Sequence, residues 1–123
     1  MLLDTSAWIE FFIGSRKGSR VKDVLTSDDC YTSIVTLAEL SSWSLKEGQD
    51  TKRLIDTVKE LSSVIELDED ISVLAGKLNF EGKKSSKKWG MIDSFILASG
   101  MIYGLRILTK DNDFRHISSA EIL

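Results

Sequence analysis

Short apolar runs alternate along this chain with longer stretches in which apolar residues recur every three or four positions. The short runs have the composition of buried strands and lie at residues 1–4, 30–33, 64–67 and 105–109, with Ile122 and Leu123 interpreted as a truncated fifth strand. The longer stretches predict helices over residues 6–13, 17–27, 34–46 and 91–103, and in two segments that begin after Asp50 and Asp68.

Glycines and small polar residues mark the predicted ends of these helices. Gly14 and Gly18 are expected to break the first helical stretch. Ser33 or Thr32 is expected to cap the helix that follows the second strand, and Gly48 lies just past the end of that helix. With no proline in the chain, these residues carry the prediction of element boundaries.

The alternation of strands and helices predicts the α/β class. Crossovers of this kind are right-handed and produce a central, mostly parallel β-sheet that is flanked by α-helices on both faces. The length of 123 residues is that of one domain, which we assign to residues 1–123, and no internal repeat is visible.

Composition narrows the possible functions. Formal net charge is −3, so binding to nucleic acid would need a local basic patch. The sequence shows no membrane span and no signal-like apolar core. Its single cysteine, Cys30, cannot form an intramolecular disulfide and is interpreted as a small buried hydrophobe. A reducing cytoplasm is therefore expected. One histidine, His116, gives little support to a Ser-His-Asp triad or a histidine-rich zinc site.

Acidic residues lie within or just after four of the apolar segments. They are Asp4, Glu39, Asp93, Asp111 and Asp113. Burying a carboxylate is costly unless its charge is compensated, so acids in four apolar segments suggest that they meet and share a cation. A hard divalent ion such as Mg²⁺ or Mn²⁺ is the natural candidate.

The predicted topology brings these acids to one place. Asp4 ends the first strand and Asp111 follows the fourth, so both point to the carboxyl edge of the sheet, where α/β proteins bind ligands. Asp93 lies in the first turn of its helix, which meets the same edge if that helix runs back across the sheet. Glu39 shares a helical face with Val35 and is expected to point inward.

Each acid also has an ordinary structural interpretation. Asp4 is a possible helix N-cap, Asp93 a helix-start acid, and Glu39 a solvent-facing residue. Asp111 and Asp113 are possible turn residues. Nearby hydroxyls either orient carboxylates and metal-bound water or bond only to local backbone; they belong to Thr5, Ser6, Ser94 and Thr109.

Two basic segments and one apolar face each leave two interpretations open. Residues 82–88 are expected to form a polar linker, and residues 83–89, with four lysines and Trp89, either grip phosphates and stack a base or form a solvated flexible loop with Trp89 packed on the core. The second basic set, Arg16, Lys17, Arg20 and Lys22, has the same two interpretations, with a solvated helical face favoured. Core packing is favoured over a partner surface for Leu54, Ile55, Val58 and Leu61.

Four segments resemble, in order, the four motifs of PIN domains. They are LLDTSAW at residues 2–8, TLAEL at 36–40, MIDSFILA at 91–98 and LTKDNDF at 108–114. The intervals of 35, 54 and 18 residues between their acids also resemble those of a compact PIN domain. Stand-alone PIN domains of this size resemble VapC-type toxins, which are metal-dependent ribonucleases.

The resemblance implies a Mg²⁺ or Mn²⁺ site and the hydrolysis of RNA. By matched position, the catalytic acids would be Asp4, Glu39, Asp93 and Asp111, with Asp4, Asp93 and Asp111 as metal ligands, Glu39 holding a second ion or orienting water, and Asp113 supporting. It also implies a small antitoxin as partner and a homodimer.

Two other functions compete with this interpretation. A non-catalytic RNA-binding or assembly PIN domain is disfavoured by the intact acidic set. A phosphoryl-accepting receiver domain would also carry Mg²⁺ and acids at strand ends. It is disfavoured here, because receivers usually show paired acids after the first strand and a lysine after the fifth.

Overall fold

The computed structural model describes residues 1–123 and contains one five-stranded sheet. Its strands are β1 (Leu2–Leu3), β2 (Tyr31–Ser33), β3 (Ser63–Ile65), β4 (Ile107–Thr109) and β5 (Ala120–Ile122). They lie in the order β3-β2-β1-β4-β5, and every neighbouring pair is parallel. The predicted α/β class with a central parallel sheet is confirmed.

Helices cover both faces of the sheet. They are α1 (Thr5–Ile13), α2 (Arg16–Ser27), α3 (Ile34–Lys46), α4 (Thr51–Leu61), α5 (Glu69–Ser85) and α6 (Met91–Tyr103). One apolar cluster packs the four helices α1, α2, α3 and α4 against the sheet and includes Trp8 and Leu108. The other packs α5 and α6 against the sheet and includes Ile96 and Ile107. Because β1 is central, Leu3 faces the first cluster and Leu2 the second, which explains why both are fully buried.

The sheet order excludes one of the competing functions. Receiver domains belong to the doubly wound proteins with strand order 2-1-3-4-5. Here β1 lies between β2 and β4, and β3 lies at an edge beyond β2. The receiver interpretation is therefore wrong. None of the helices has both the length and the apolar character needed to cross a bilayer.

Several predicted boundaries need correction. Strand β5 begins at Ala120 and pairs with all three residues of β4, so it is not truncated relative to its neighbour. β3 ends at Ile65, two residues before the predicted end, and β4 begins at Ile107. Each strand is only two or three residues long.

Gly18 does not break the chain, contrary to the prediction. Helix α1 ends at Gly14, whose φ of 67° is the left-handed conformation of a helix C-cap, and α2 already begins at Arg16. Gly18 lies inside α2 at the crossing with α1, where a Cβ atom would be 2.1 Å from the carbonyl oxygen of Glu10. Its role is to let two helix backbones approach closely.

The expected linker at residues 82–88 is also largely wrong. Helix α5 continues through Gly82 to Ser85, and only a short segment separates it from α6. A Cβ atom at Gly82 would be 2.3 Å from Cδ1 of the Trp89 indole. The glycine therefore marks a packing contact inside the helix and not the end of that helix.

Other sequence interpretations concern the core, and most are confirmed. Leu54 and Val58 are buried, whereas Leu61 at the end of α4 is 39% exposed. Cys30 is buried as a small hydrophobe, and burial raises the pKa of its thiol. On α2, Arg20 forms an ion pair with Glu121 of β5 at 2.8 Å.

An ion pair between a buried glutamate and a half-exposed lysine, which the sequence did not suggest, connects α1 to the end of β4. Oε1 of Glu10 lies 2.9 Å from Nζ of Lys110, and the Glu10 side chain is 6% exposed. Its other oxygen, Oε2, is buried and accepts no hydrogen bond. Lys110 thus supplies the charge that compensates a carboxylate in an otherwise apolar helix interface.

We predict opposite effects of alanine at two helical glycines. Gly18→Ala should lower the free energy of unfolding by about 2 kcal/mol or more, because its methyl group would overlap backbone that cannot move without separating α1 from α2. Gly76→Ala on α5 is the matched control and should raise it by about 0.5–1 kcal/mol, since nothing lies within 4 Å of the position that its methyl group would occupy. Urea unfolding measures both, and stabilisation by both substitutions would contradict the close crossing.

Candidate active site

The carboxyl edge of the sheet brings together side chains from four segments. Helix α1 starts directly after β1, and α3 starts directly after β2. Helix α6 runs towards the amino end of β4, so its first turn lies at the opposite, carboxyl edge. The segment after β4 begins at this same edge. The topology therefore delivers the four predicted acids to one side of the sheet, as expected.

Asp4 lies at the centre of this edge and is almost fully buried. Its Oδ1 accepts a hydrogen bond from the backbone N–H of Thr5 at 2.8 Å. Its Oδ2 accepts from the hydroxyl of Thr109 at 2.7 Å and from that of Ser6 at 3.2 Å. Asp4 occupies the N-cap position of α1, so the structural interpretation is correct for its location, yet it also faces the other acids.

Glu39 is half-buried on α3 and points towards α1, as the helical face predicted. Its Oε1 accepts a hydrogen bond of 2.6 Å from the hydroxyl of Thr5. Thr36, one turn earlier on α3, also contacts that hydroxyl, at 3.1 Å. Glu39 is therefore held in place from the first residue after Asp4, and its Oε2 accepts no hydrogen bond from the protein.

Asp93 occupies the third position of α6. Its Oδ2 accepts a hydrogen bond of 3.0 Å from the backbone N–H of Gly90, the N-cap residue. The structural interpretation as a helix-start acid is thus correct for one oxygen. The other oxygen accepts no hydrogen bond from the protein, which leaves it available to an external partner.

Asp111 and Asp113 lie at the 3₁₀ turn that follows β4 (Asn112–Phe114). Oδ1 of Asp111 accepts from the backbone N–H of Asp113 at 2.8 Å, the hydrogen bond of a turn residue. The backbone N–H of Asp111 donates to the Thr109 hydroxyl, which itself donates to Asp4. A continuous chain of hydrogen bonds therefore links Asp111 to Asp4.

The pKa values show that these acids interact electrostatically. Burial raises the pKa of Asp93 to about 6; the hydrogen bond from Gly90 opposes this shift, and the negative charges of Asp111, Asp4 and Asp113 add to it. Burial also raises the pKa of Asp4, against its hydrogen bonds and with a contribution from the charge of Glu39. None of the three ion pairs of the structure involves these acids, so the site carries an excess of negative charge.

The donor set suits a hard divalent cation, although the arrangement is not a closed cage. No three carboxylate, imidazole or thiol groups converge on a single point. Mg²⁺ does not need such a cage, because it keeps several waters and is usually held by one or two carboxylates together with substrate phosphates. The oxygens without protein donors on Glu39, Asp93 and Asp111 are the chemistry that such an ion prefers.

Of the two interpretations left open for the neighbouring hydroxyls, contact with a carboxylate is found for three, and local backbone bonding is found for Ser94. Thr5 orients Glu39, and Ser6 and Thr109 orient Asp4. Ser94 does not contact an acid: its hydroxyl donates to the carbonyl oxygen of Gly90 and accepts from the Trp89 indole. Thr36 and Ser86 were missed, because a hydroxyl inside a helix or loop gives no periodic signal.

Trp89 packs on the core and does not stack a base. It is 2% exposed, and its ring lies against Phe114 with centroids 4.9 Å apart. Its indole N–H donates to Ser94 at 2.8 Å. The base-stacking interpretation of this residue is wrong, whereas the neighbouring lysines are all exposed.

Comparisons with known proteins find relatives along nearly the whole chain. The family model of the PIN domain covers residues 1–120. Ribonuclease VapC5 of Mycobacterium tuberculosis is 26% identical over an alignment of 124 positions, which covers 97% of this chain and 88% of the relative.

Solved structures show the same fold. A chain of a toxin–antitoxin complex from Klebsiella pneumoniae superposes with a TM-score of 0.79 at 24% identity, covering 98% of this chain and 94% of that one. VapC20 of Mycobacterium tuberculosis, described as a toxin that cleaves the sarcin–ricin loop, superposes with a TM-score of 0.72 at 18% identity, covering 95% and 94%.

The raised pKa of Asp93 predicts how the metal-free protein responds to pH. A carboxyl group whose folded pKa is about 6 and whose ordinary value is 3.8 holds its proton longer in the folded state, so it lowers stability as pH rises from about 4 to about 6. Asp93→Asn should remove that loss and be more stable than the parent above pH 6, by about 1 kcal/mol after allowance for partial solvent screening.

Urea unfolding in EDTA between pH 4.5 and 7.5 measures this effect. Asp28→Asn is the matched control, because Asp28 is exposed at the amino edge of the sheet, and it should keep the parent's pH profile. If the free energy of unfolding depended on pH in the same way for the parent and for Asp93→Asn, the raised pKa of Asp93 would be contradicted.

Proposed function

Because the chain belongs to the PIN-domain family, we propose that it is a metal-dependent endoribonuclease that uses Mg²⁺ or Mn²⁺. The observation that carries the proposal is the meeting of acids from four segments at one sheet edge, where burial and then the charges of Asp111, Asp4 and Asp113 raise the pKa of Asp93. A non-catalytic RNA-binding or assembly domain would not need to retain this electrostatic strain. The ribonuclease name of the VapC5 relative supports the same choice of substrate.

In this proposal Asp4, Asp93 and Asp111 hold the cation. A bound Mg²⁺ or Mn²⁺ lowers the pKa of water and polarises a phosphoryl oxygen, which is the chemistry that phosphodiester hydrolysis requires. Asp4 is the most rigid of the three, since three donors fix both of its oxygens. Asp93 and Asp111 each present one oxygen with no protein donor.

Glu39 has a different role from the three ligands. Thr5 fixes its Oε1, and its Oε2 is free to accept a hydrogen bond from the attacking water or to hold a second ion. Thr5 links the two acids, because its backbone N–H donates to Asp4 and its hydroxyl donates to Glu39, so the water or ion held by Glu39 would lie near the other acids. Catalysis then depends on Thr5 for orientation as well as on the carboxylates.

We also propose that the protein is the toxin of a toxin–antitoxin pair, that it forms a homodimer, and that it acts in the cytoplasm. The Klebsiella pneumoniae neighbour is part of such a complex. Exposed apolar residues on α6, which has Asp93 as its only charged residue, support protein–protein contacts; they are Met91, Ile92, Met101, Ile102 and Tyr103. A small antitoxin that covers the acidic edge would restrain the nuclease.

Substitution of a proposed ligand should abolish activity while the fold is kept. Asp93→Asn should lower the rate of RNA cleavage by more than about a hundredfold in Mn²⁺, beyond the cost of losing an outer-shell partner of a metal site. Asp28→Asn should cleave RNA at the parent's rate, and EDTA should stop cleavage by the parent and by Asp28→Asn. Gel analysis of pooled cellular RNA measures cleavage; parental rates for both Asp4→Asn and Asp93→Asn would refute the metal site.

The partner proposal predicts what accompanies the protein in its own cell. Affinity purification from the native host should recover a small protein in a stable complex, and light scattering of the complex should give a mass that contains two copies of this chain. Release of the small protein should increase RNA cleavage in Mn²⁺. Recovery of a free monomer alone would contradict both the antitoxin and the homodimer.

A further inference from the structure

Two exposed lysines lie in a segment that is fixed at both ends to the acidic site. Residues 86–90 connect α5 to α6. At one end the hydroxyl of Ser86 donates to Oδ1 of Asp113 at 3.4 Å, and at the other the backbone N–H of Gly90 donates to Oδ2 of Asp93 at 3.0 Å. Lys87 and Lys88 lie between these contacts.

The short spacing confines the backbone of both lysines to the surroundings of the site. Consecutive Cα atoms are about 3.8 Å apart, so neither lysine backbone is more than two residues from a residue that contacts a site carboxylate. Trp89 also holds this segment in place, because its ring is buried against Phe114 and its carbonyl oxygen accepts a hydrogen bond from Nζ of Lys83 at 2.8 Å. The segment is a braced rim of the site and not a free loop.

The charges of these two lysines are not used within the protein. The three ion pairs of the structure involve Arg20, Lys52 and Lys110, and neither Lys87 nor Lys88 takes part. Neither lysine is among the groups that shift the pKa of Asp93. Lys83 is bound to a carbonyl oxygen and Lys84 lies 4.4 Å from the centre of the Phe80 ring, so Lys87 and Lys88 are the free cations of this basic run.

A polyanionic substrate needs such groups here. The chain has a formal net charge of −3, and the site itself is acidic, so bulk electrostatics oppose the approach of phosphates. Lysine ammonium groups that neutralise backbone phosphates supply affinity without reading the sequence of bases. The buried position of Trp89 excludes base stacking from this segment, which leaves contact with phosphates.

We propose that Lys87 and Lys88 form a phosphate-binding rim that holds the RNA backbone beside the acidic site. The proposal rests on the proposed ribonuclease function and identifies residues that position its substrate. These lysines do not touch the reacting atoms. Their contribution is therefore to substrate affinity, and the rate at saturating RNA is independent of them.

The test compares Lys87→Gln/Lys88→Gln with a charge-matched control. The control is Lys46→Gln/Lys59→Gln, which removes two exposed lysines from α3 and α4 that lie outside both basic segments; Lys46 is in the last turn of α3, the end remote from the carboxyl edge. Binding of a fluorescent single-stranded RNA is measured by anisotropy in EDTA at 50 to 200 mM salt, and cleavage of the same RNA is measured in Mn²⁺. Thermal melts confirm that both variants remain folded.

We expect the Lys87→Gln/Lys88→Gln variant to bind RNA with a weaker salt dependence. Loss of two phosphate contacts reduces the slope of log K against log salt by about 1.4, so the parent loses about sevenfold more affinity than the variant over this salt range. In Mn²⁺ the variant should have a higher KM with an unchanged kcat. The control should match the parent in both measurements.

Other outcomes overturn the proposal in distinguishable ways. A parent that cleaves RNA while both variants share its salt slope would refute the rim and leave the ribonuclease function standing. A variant that binds RNA normally but loses affinity for a poly-glutamate peptide would assign the lysines to an acidic protein segment. A parent that neither binds nor cleaves RNA would overturn the proposed function together with the rim.

Discussion

The buried carboxylate of Asp4 is the constraint around which the carboxyl edge is built. Removal of a carboxylate from water costs several kcal/mol, on the order of what a small domain has as its whole stability, unless donors replace the water. Here the donors come from the start of α1 (Thr5 and Ser6) and the end of β4 (Thr109). Satisfying one side chain therefore fixes a helix against a strand from the other end of the sequence.

The same few hydroxyls extend this constraint to the rest of the site. Thr109 also accepts from the backbone N–H of Asp111, and Ser6 accepts from that of Lys110. Thr5 continues the network to Glu39 on α3. Only Asp93 lies outside it and is held instead by Gly90 and the rim segment. Two separate sets of hydrogen bonds thus position the four acids: one links Asp4, Glu39 and Asp111, and the other links Asp93 to the segment that connects α5 to α6.

The sequence was sufficient to predict most of this arrangement, because each acid interrupts an apolar run and strand ends of a parallel sheet share an edge. It failed where the decisive contact lies between elements. Gly18 gives the signal of a helix breaker, and only the crossing of α1 with α2 shows that it is an interior contact residue. Gly82 was misleading for the same reason, since the Trp89 ring that requires it lies outside the helix. The pairing of Glu10 with Lys110 joins distant parts of the sequence and leaves no local pattern.

The distribution of lysines leaves the negative charge of the acids uncompensated by any ion pair. Lys110 lies next to Asp111 in the chain. If its ammonium group had no partner, it would be available to neutralise the charge of the acidic site. Glu10 instead holds its ammonium group against α1, where the pair also compensates a buried charge. The acids therefore retain the mutual repulsion that adds to the effect of burial on the pKa of Asp93, and under the proposed function a divalent cation would relieve it. In the proposed rim, Lys87 and Lys88 form no ion pair with these carboxylates, so their charges can attract a polyanion.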